Sequence, residues 1–121
     1  IVNPKTLAGQ VLGGTANGIG TTLSEEFIYD EEGQFVNANF AEFAMPSVHE
    51  MPANLKLGHV ETPSPYTEYG VKGGGEGGRL GAPSALTSAI EDALRDHGVK
   101  ISALPIRPSK LRELIRATEA A

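Results

Sequence analysis

Glu76 is the residue whose neighbours most suggest chemistry, because it lies within the glycine-rich stretch GVKGGGEGGRLGAP of residues 70–83. Glycine has no Cβ, so such a backbone can adopt strained conformations and can approach a bulky group closely. A carboxylate held against that group would lose solvation and could accept a proton as a general base. The alternative is a tight turn that leaves Glu76 in solvent with no catalytic role. The residues alone do not decide between a general base and such a turn.

The same glycines fit a phosphate-binding loop only in part. Gly73, Gly75 and Gly78 satisfy the pattern Gly-x-Gly-x-x-Gly, but a dinucleotide site needs a buried strand before that pattern. The preceding residues ETPSPYTEYGVK are polar and interrupted by proline. A Walker loop would end in Gly-Lys-Ser/Thr, whereas here Arg79 and Leu80 follow. A nucleotide-binding domain therefore stays a weak alternative.

Composition argues against several other kinds of site. The chain of 121 residues has a formal net charge of -5 and no cysteine. A general nucleic-acid binder, a disulfide framework, an iron–sulfur cluster within this chain and a cysteine nucleophile are therefore not expected. His49, His59 and His97 are scattered, so no metal ligand is predicted. No membrane span or signal peptide is visible, which makes the cytoplasm the default expectation.

A helix at the beginning of the chain is the first element that could position Glu76. Asn3 suits the N-cap and Pro4 suits the first helical position. Apolar residues then recur at helical spacing from Leu7 to Leu23. The glycines between them each weaken a helix by up to about 1 kcal/mol relative to alanine. We therefore expect tertiary packing to hold this helix, with its glycines forming a face against which another backbone packs.

The remaining residues predict an α+β fold of about three helices, a β-hairpin and long irregular segments rich in proline and glycine. The hairpin is predicted from strand character at Phe27–Tyr29 and Phe35–Asn39, separated by turn residues. Proline punctuates the segment from Met45 to Pro65, which predicts an ordered arm laid across another surface, with one possible strand near residues 55–61.

The last third of the sequence predicts two further helices. The stretch PSALTSAIEDALRDHG has an apolar face at helical spacing, and Gly98 is a suitable C-terminal stop. VKISALPI is expected to be a short strand or an extended segment, and RPSKLRELIRATEAA a final helix.

Several stretches together resemble the C-terminal end of a molybdopterin-binding large subunit. GVKGGGEGG, followed by GAPSALTSAIEDAL, is similar to this region of the xanthine dehydrogenase, aldehyde oxidoreductase and carbon monoxide dehydrogenase family, the molybdenum hydroxylases. The other stretches that occur in the family's order are VNPKTLAGQVLGG, EEFIYDEEGQF, FAMPSVHEMP, ETPSPYTEYGVKG and ALPIRPSKLREL. The resemblance implies that residues 1–121 are the C-terminal portion of a molybdopterin-binding domain, a single unit that is incomplete alone.

The resemblance also implies roles for individual residues. Glu76 matches the family's active-site base, which would deprotonate a molybdenum-bound water or hydroxyl that attacks an electron-poor carbon. Gln10 matches a glutamine that contacts the molybdopterin cofactor. The residues expected to shape the backbone beside the cofactor, with amides available to the pterin, are Lys72, Gly73, Gly74 and Gly75.

The enzyme that the resemblance implies is a molybdopterin-dependent hydroxylase or dehydrogenase acting on a small-molecule substrate. It would be active only when this chain is assembled with the remainder of the large subunit. Further implied partners are a flavin subunit with FAD and an iron–sulfur subunit with 2Fe-2S clusters. The alternative from another class is a non-catalytic structural or interaction domain of the same ancestry.

Overall fold

The computed structural model describes residues 1–120 and consists of helices joined by long irregular segments. The α-helices are α1 (Pro4–Leu23), α2 (Gly77–Leu80), α3 (Ala82–Ala93) and α4 (Pro108–Glu119). Single 3-10 turns lie at Val48–Glu50, Glu68–Gly70 and Arg95–His97. Ala121, the last residue of the predicted domain, lies outside the described residues. Among residues 1–120, no helix combines the length and the apolar character needed to cross a bilayer.

Helix α1 begins where the sequence predicts. The Asn3 side chain caps it by accepting a hydrogen bond from the Thr6 N–H at 3.0 Å, and Pro4 occupies the first turn. The helix ends at Leu23, where the Ser24 N–H donates to the Gly20 carbonyl at 2.9 Å. The cap satisfies one of the N–H groups that the start of a helix leaves unpaired. The local sequence therefore determines where the helix begins.

Three of the five glycines of α1 form a packing face, whereas a Cβ at Gly9 or Gly13 would meet nothing within 4 Å. A Cβ added at Gly14 would lie 3.1 Å from the Arg79 nitrogen, and one at Gly18 would lie 2.6 Å from the Ala82 Cβ. A Cβ at Gly20 would lie 2.5 Å from Pro46. The expectation that another backbone packs against these glycines is therefore confirmed at Gly14 and Gly18, whereas Gly20 meets the Pro46 side chain.

The apolar core is small and lies at the C-terminal end of α1. Its buried side chains are Ile19, Val99 and Ile106, which are 8%, 2% and 5% exposed. The Ile106 N–H donates to the Thr22 carbonyl at 2.7 Å. Thr22 is fully buried, and its hydroxyl donates to the Gly18 carbonyl at 2.6 Å. The segment that leads into α4 is thus fixed to the end of α1, which makes α1 the central element.

The predicted α+β class is wrong, because the described residues contain no sheet. The expected hairpin is reduced to one antiparallel bridge between Tyr29 and Phe35. The side chain of Asn37, itself 4% exposed, donates to the Glu26 carbonyl at 2.8 Å and accepts from the Ile28 N–H at 2.9 Å. This side chain occupies backbone groups that a second strand would have paired, so the ladder ends after one bridge.

Two other segments that could have been strands are irregular. Residues 55–61 and residues 99–106 have no strand pairing. Within the second segment, the Ile101 N–H donates to the Glu91 carboxylate at 2.7 Å, and the Ile106 N–H bonds to the end of α1. A side chain and a helix terminus satisfy these donors, so the segment needs no neighbouring strand to pair them.

Candidate functional site

The glycine loop, residues 70–76, lies against the N-terminal half of α1. The Gln10 Nε2 donates to the Gly75 carbonyl at 2.8 Å. A Cβ added at Gly74 would lie 3.1 Å from the Leu7 Cδ1. Helix α2 follows the loop at once, with Glu76 at its N-cap. The residue singled out from the sequence therefore stands where the glycine loop meets a helix.

Beyond Glu76, the backbone of α2 touches the backbone of α1. A Cβ added at Gly78 would lie 2.3 Å from the Val11 carbonyl oxygen and 2.8 Å from the Val11 Cα. The Thr15 hydroxyl donates to the Val11 carbonyl at 2.9 Å and to the Gly78 carbonyl at 3.2 Å. Only glycine leaves room for this approach, so Gly78 is required for steric reasons.

Gly75 is required for a different reason. Its φ is +44°, in the left-handed region that residues with a Cβ rarely adopt. A Cβ there would meet nothing within 4 Å, so conformation rather than space selects glycine. The left-handed residue turns the backbone immediately before Glu76, whose carbonyl accepts from the Arg79 N–H at 2.8 Å and the Leu80 N–H at 3.2 Å. No strand precedes the loop among the described residues, so the setting of a dinucleotide fingerprint is missing.

The Glu76 carboxylate is open to solvent. Its side chain is 66% exposed, and Oε1 lies 3.7 Å from Nη1 of Arg79, which is 42% exposed. An exposed pair of this kind contributes at most about 1 kcal/mol. The desolvation expected around Glu76 is therefore not produced by the described residues themselves, and the carboxylate is accessible to a molecule lying over the loop.

A groove of about 720 Å³ runs beside the glycine loop. Its lining comes from residues 1–11 of the chain start and α1, from residues 58–63, and from residues 69–75 with Gly77. A smaller cavity of about 310 Å³ lies near the end of α3, lined in part by Asp92 and Arg95, whose side chains pair with each other. The larger groove contains the predicted binding residues, and we take it as the candidate site.

The structure brings the predicted cofactor-binding residues together. Those that line the groove are Gln10, Lys72, Gly73, Gly74 and Gly75. The Lys72 ammonium donates to the Thr62 hydroxyl on the far side of the groove. Glu76 does not line the groove; it lies at its end, between two glycines that do. The roles assigned to these residues from the resemblance stay predictions.

The hydrogen-bonding groups of the groove fit the polar edge of an organic cofactor. Among residues 1–120, the N–H groups of Gly73, Gly74 and Gly75 have no acceptor within the protein. A Cβ at Gly73 or Gly77 would meet nothing within 4 Å, so the loop backbone is open to close approach. In the same part of the chain, no three His, Cys, Asp or Glu side chains converge on a point where a metal ion could bind. These donors therefore suit a heterocycle or its phosphate, and they do not suit direct ligation of a metal.

Sequence reasoning missed two parts of this site. Residues 58–63 line the groove, yet their irregular sequence carries no periodic signal, and His59 was considered only as a metal ligand. Thr15 was not singled out either. Its position four residues after Val11 predicts the hydroxyl bond to the Val11 carbonyl, but nothing local indicates the second bond to Gly78.

Comparison with known proteins defines the class to which this arrangement belongs. A family model described as a molybdopterin cofactor-binding domain matches residues 1–52. The solved structure of quinoline 2-oxidoreductase from Pseudomonas putida 86 superposes with a TM-score of 0.90 at 39% identity, over 96% of this chain and 15% of that one. Reconstituted CO dehydrogenase from Oligotropha carboxidovorans superposes with a TM-score of 0.88 at 28% identity, over 98% and 15%.

Sequence relatives agree with the solved structures. The nicotine 6-hydroxylase large subunit of Paenarthrobacter nicotinovorans is 39% identical over 119 residues, which cover 98% of this chain and 14% of the relative. The xanthine dehydrogenase molybdenum-binding subunit of Escherichia coli O157:H7 is 37% identical over 114 residues, covering 93% and 15%. The chain belongs to the molybdenum hydroxylase family of oxidoreductases and corresponds to part of the large subunit. The resemblance found in the sequence is confirmed, and the chain spans about 14% of the length of the first of these relatives.

Proposed function

We propose that this chain forms one side of the molybdopterin site of a molybdenum-dependent oxidoreductase and that Glu76 is its general base. The observation that carries the proposal is the position of Glu76. Its exposed carboxylate stands at the end of the groove, between Gly75 and Gly77, on a backbone fixed to α1. A family model for molybdopterin binding that matches residues 1–52 supports the same site, because α1 lies within its range.

The groove offers specific groups to the cofactor. Gln10 uses one N–H for the Gly75 carbonyl, which leaves its second N–H and its Oε1 for the pterin. The free N–H groups of Gly73, Gly74 and Gly75 would bind acceptor atoms of the pterin or its phosphate. When bound, the molybdenum cofactor supplies the oxygen-transfer and two-electron redox chemistry of the family.

Proton transfer is the part of the reaction that this chain's own residues perform. A general base must come within about 2.6–3.2 Å of the proton that it removes. The backbone of Glu76 is fixed on both sides, while its side chain is exposed and can reach over the loop. Arg79 attracts the carboxylate at 3.7 Å without a tight ion pair, so Oε1 and Oε2 remain available to accept the proton.

The rest of the enzyme is proposed from the relatives. One is named subunit gamma of the 6-hydroxypseudooxynicotine dehydrogenase complex, which supports a multi-subunit assembly. We propose that the assembly contains the remainder of the large subunit, a flavin subunit with FAD and an iron–sulfur subunit with 2Fe-2S clusters. The relatives' names refer to nicotine, xanthine and carbon monoxide, which supports a small-molecule substrate.

Replacing Glu76 by glutamine in the assembled enzyme tests this function. Glutamine keeps the size of the side chain but cannot accept the proton, so we expect kcat to fall by about 10²–10⁴-fold. Molybdenum content and unfolding temperature should stay unchanged. Glu68→Gln, in the 3-10 turn before the loop, is the matched control and should retain activity. Full activity of Glu76→Gln would contradict the base role and favour the non-catalytic alternative.

A further inference from the structure

The backbone around Glu76 is fastened to α1 at two carbonyls, one on each side. The carbonyl of Gly75, the residue before Glu76, accepts from Gln10 at 2.8 Å. The carbonyl of Gly78, two residues after Glu76, accepts from Thr15 at 3.2 Å. No bond from the described residues reaches the carboxylate except the loose pair with Arg79. The position of Glu76 is thus set through its main chain.

Helix α1 gives the two anchors a fixed separation. Gln10 and Thr15 lie on successive turns, about 7.5 Å apart along the helix axis at a rise of about 1.5 Å per residue. A helix of this length is a stiffer support than a glycine-rich loop, whose own backbone has wide conformational freedom. The loop therefore takes its geometry from α1 and does not determine it alone.

Thr15 is hydrogen-bonded to the backbone of α2 where α1 and α2 come into contact. Its single hydroxyl proton serves the Val11 carbonyl at 2.9 Å and the Gly78 carbonyl at 3.2 Å, which is a three-centre hydrogen bond. The contact of Gly78 with Val11 brings the two carbonyls to the same hydroxyl. The side chain is half-buried, so water competes little for the Gly78 carbonyl.

We propose that Thr15, together with Gln10, is a positioning residue that holds the main chain on both sides of Glu76 and so determines where the base stands. The consequence for turnover rests on the proposed function of Glu76. The consequence for α2 does not, since the Gly78 carbonyl accepts the Thr15 hydrogen bond whatever chemistry the carboxylate performs.

The test uses Thr15→Val in the complete, assembled protein, with Thr15→Ser as the conservative variant. Valine has the shape of threonine but donates no hydrogen bond, whereas serine keeps the hydroxyl. Thr21→Val is the matched control. The Thr21 hydroxyl makes the same bond to a carbonyl four residues earlier, that of Asn17 at 3.0 Å, but its other partner is Glu25 and not α2.

Amide hydrogen exchange is the first measurement, because it reports on the backbone of α2 directly after Glu76 and needs no enzyme activity. The amides of Arg79 and Leu80 bond to the Glu76 carbonyl. We expect them to exchange about two- to ten-fold faster in Thr15→Val, as the loss of one ordinary hydrogen bond predicts. They should be unchanged in Thr21→Val and close to wild type in Thr15→Ser. Unchanged exchange in Thr15→Val would overturn the proposal.

Steady-state kinetics is the second measurement. We expect kcat to fall about two- to ten-fold in Thr15→Val while KM and molybdenum content stay the same, and Thr15→Ser to restore kcat. A joint loss of molybdenum and activity, or faster exchange with full kcat, would overturn the positioning role. If Glu76→Gln proved fully active, the proposed base would fail, and the exchange result would still decide whether Thr15 holds α2 in place.

Discussion

Two regions of this chain are held in opposite ways. In the loop–helix unit, defined as α1, the glycine loop and α2, backbones far apart in sequence touch through glycines, as Gly78 does at Val11. In the arm, residues 45–65, large apolar side chains face solvent. Val48 is 78% exposed and Val60 is 94% exposed. The first region is held by close contacts between backbones, whereas the arm touches other described residues only at separate points, such as Pro46 at Gly20 and Thr62 at Lys72.

The difference shows where each region obtains its stability. The loop–helix unit is held by bonds between residues more than sixty positions apart, such as Gln10 to Gly75. The 3-10 turn of the arm is held by bonds within a few residues, such as Ser47 to Glu50. Apolar side chains left in water add nothing to stability. The chain spans about 14% of the length of the nicotine 6-hydroxylase large subunit, and the expectation that the arm lies across another surface stays a prediction.

The largest effect is expected where the two backbones of the loop–helix unit touch. In Gly78→Ala, the new Cβ would lie 2.3 Å from the Val11 carbonyl oxygen, and neither backbone can yield cheaply. Overpacking of this kind should lower the free energy of unfolding by about 1–3 kcal/mol, measured by urea unfolding of the purified chain.

Gly13→Ala is the matched control for that substitution. A Cβ at Gly13 meets nothing within 4 Å, and alanine favours a helix, so stability should rise by up to about 1 kcal/mol. If Gly78→Ala and Gly13→Ala changed the free energy of unfolding equally, the contrast between the two regions would be wrong. Backbone contact would then not be what stabilises the loop–helix unit.

A smaller effect is expected from the conformation of the glycine loop. In Gly75→Ala, a residue with a Cβ must adopt a φ of +44°, which costs about 1–2 kcal/mol. Gly73→Ala is the control, since its Cβ has space and its φ is not positive, and its effect should stay within about 0.5 kcal/mol. Thermal unfolding of both variants measures the difference. A Gly75→Ala chain as stable as Gly73→Ala would show that the left-handed turn before Glu76 is not maintained.

The smallest effect concerns the arm and depends on pH. Hydrogen bonds from the Ser47 hydroxyl at 2.7 Å and the Ser47 N–H at 2.6 Å lower the pKa of Glu50 below its ordinary value. A lowered pKa means that the capped turn is stabilised above the ordinary carboxyl pKa and loses this stabilisation as the pH falls through the lowered value. The Ser47 amide chemical shift, followed by NMR, should change in that acidic range.

Glu50→Gln should remove this acid transition. A transition of the Ser47 amide at the ordinary glutamate pKa would contradict the cap. The 3-10 turn at Val48–Glu50 would then not depend on the Glu50 carboxylate.

The sequence predicted α1, α3 and α4 because their signals are local, but it did not predict α2, whose four residues are too few to show a helical period. Asn3 and Pro4 define the start of α1, and the apolar spacing defines α3 and α4. The hairpin was predicted wrongly because its outcome depends on one buried side chain. Asn37 satisfies the backbone of Glu26 and Ile28, and no local pattern shows that a side chain will take the place of a strand.

The candidate site likewise has some features that the sequence predicts and others that only the tertiary structure shows. The sequence alone identified the glycine loop, Glu76 and a helix rich in glycine, and with the ordered motifs it identified the family, because these features are carried by residue type and spacing. Only the tertiary structure decided that Gln10 bonds to Gly75, that Gly78 rests on Val11 and that Thr15 joins them. The physical reason is that such contacts connect residues more than sixty positions apart, so they exist only when the folded chain brings their backbones together.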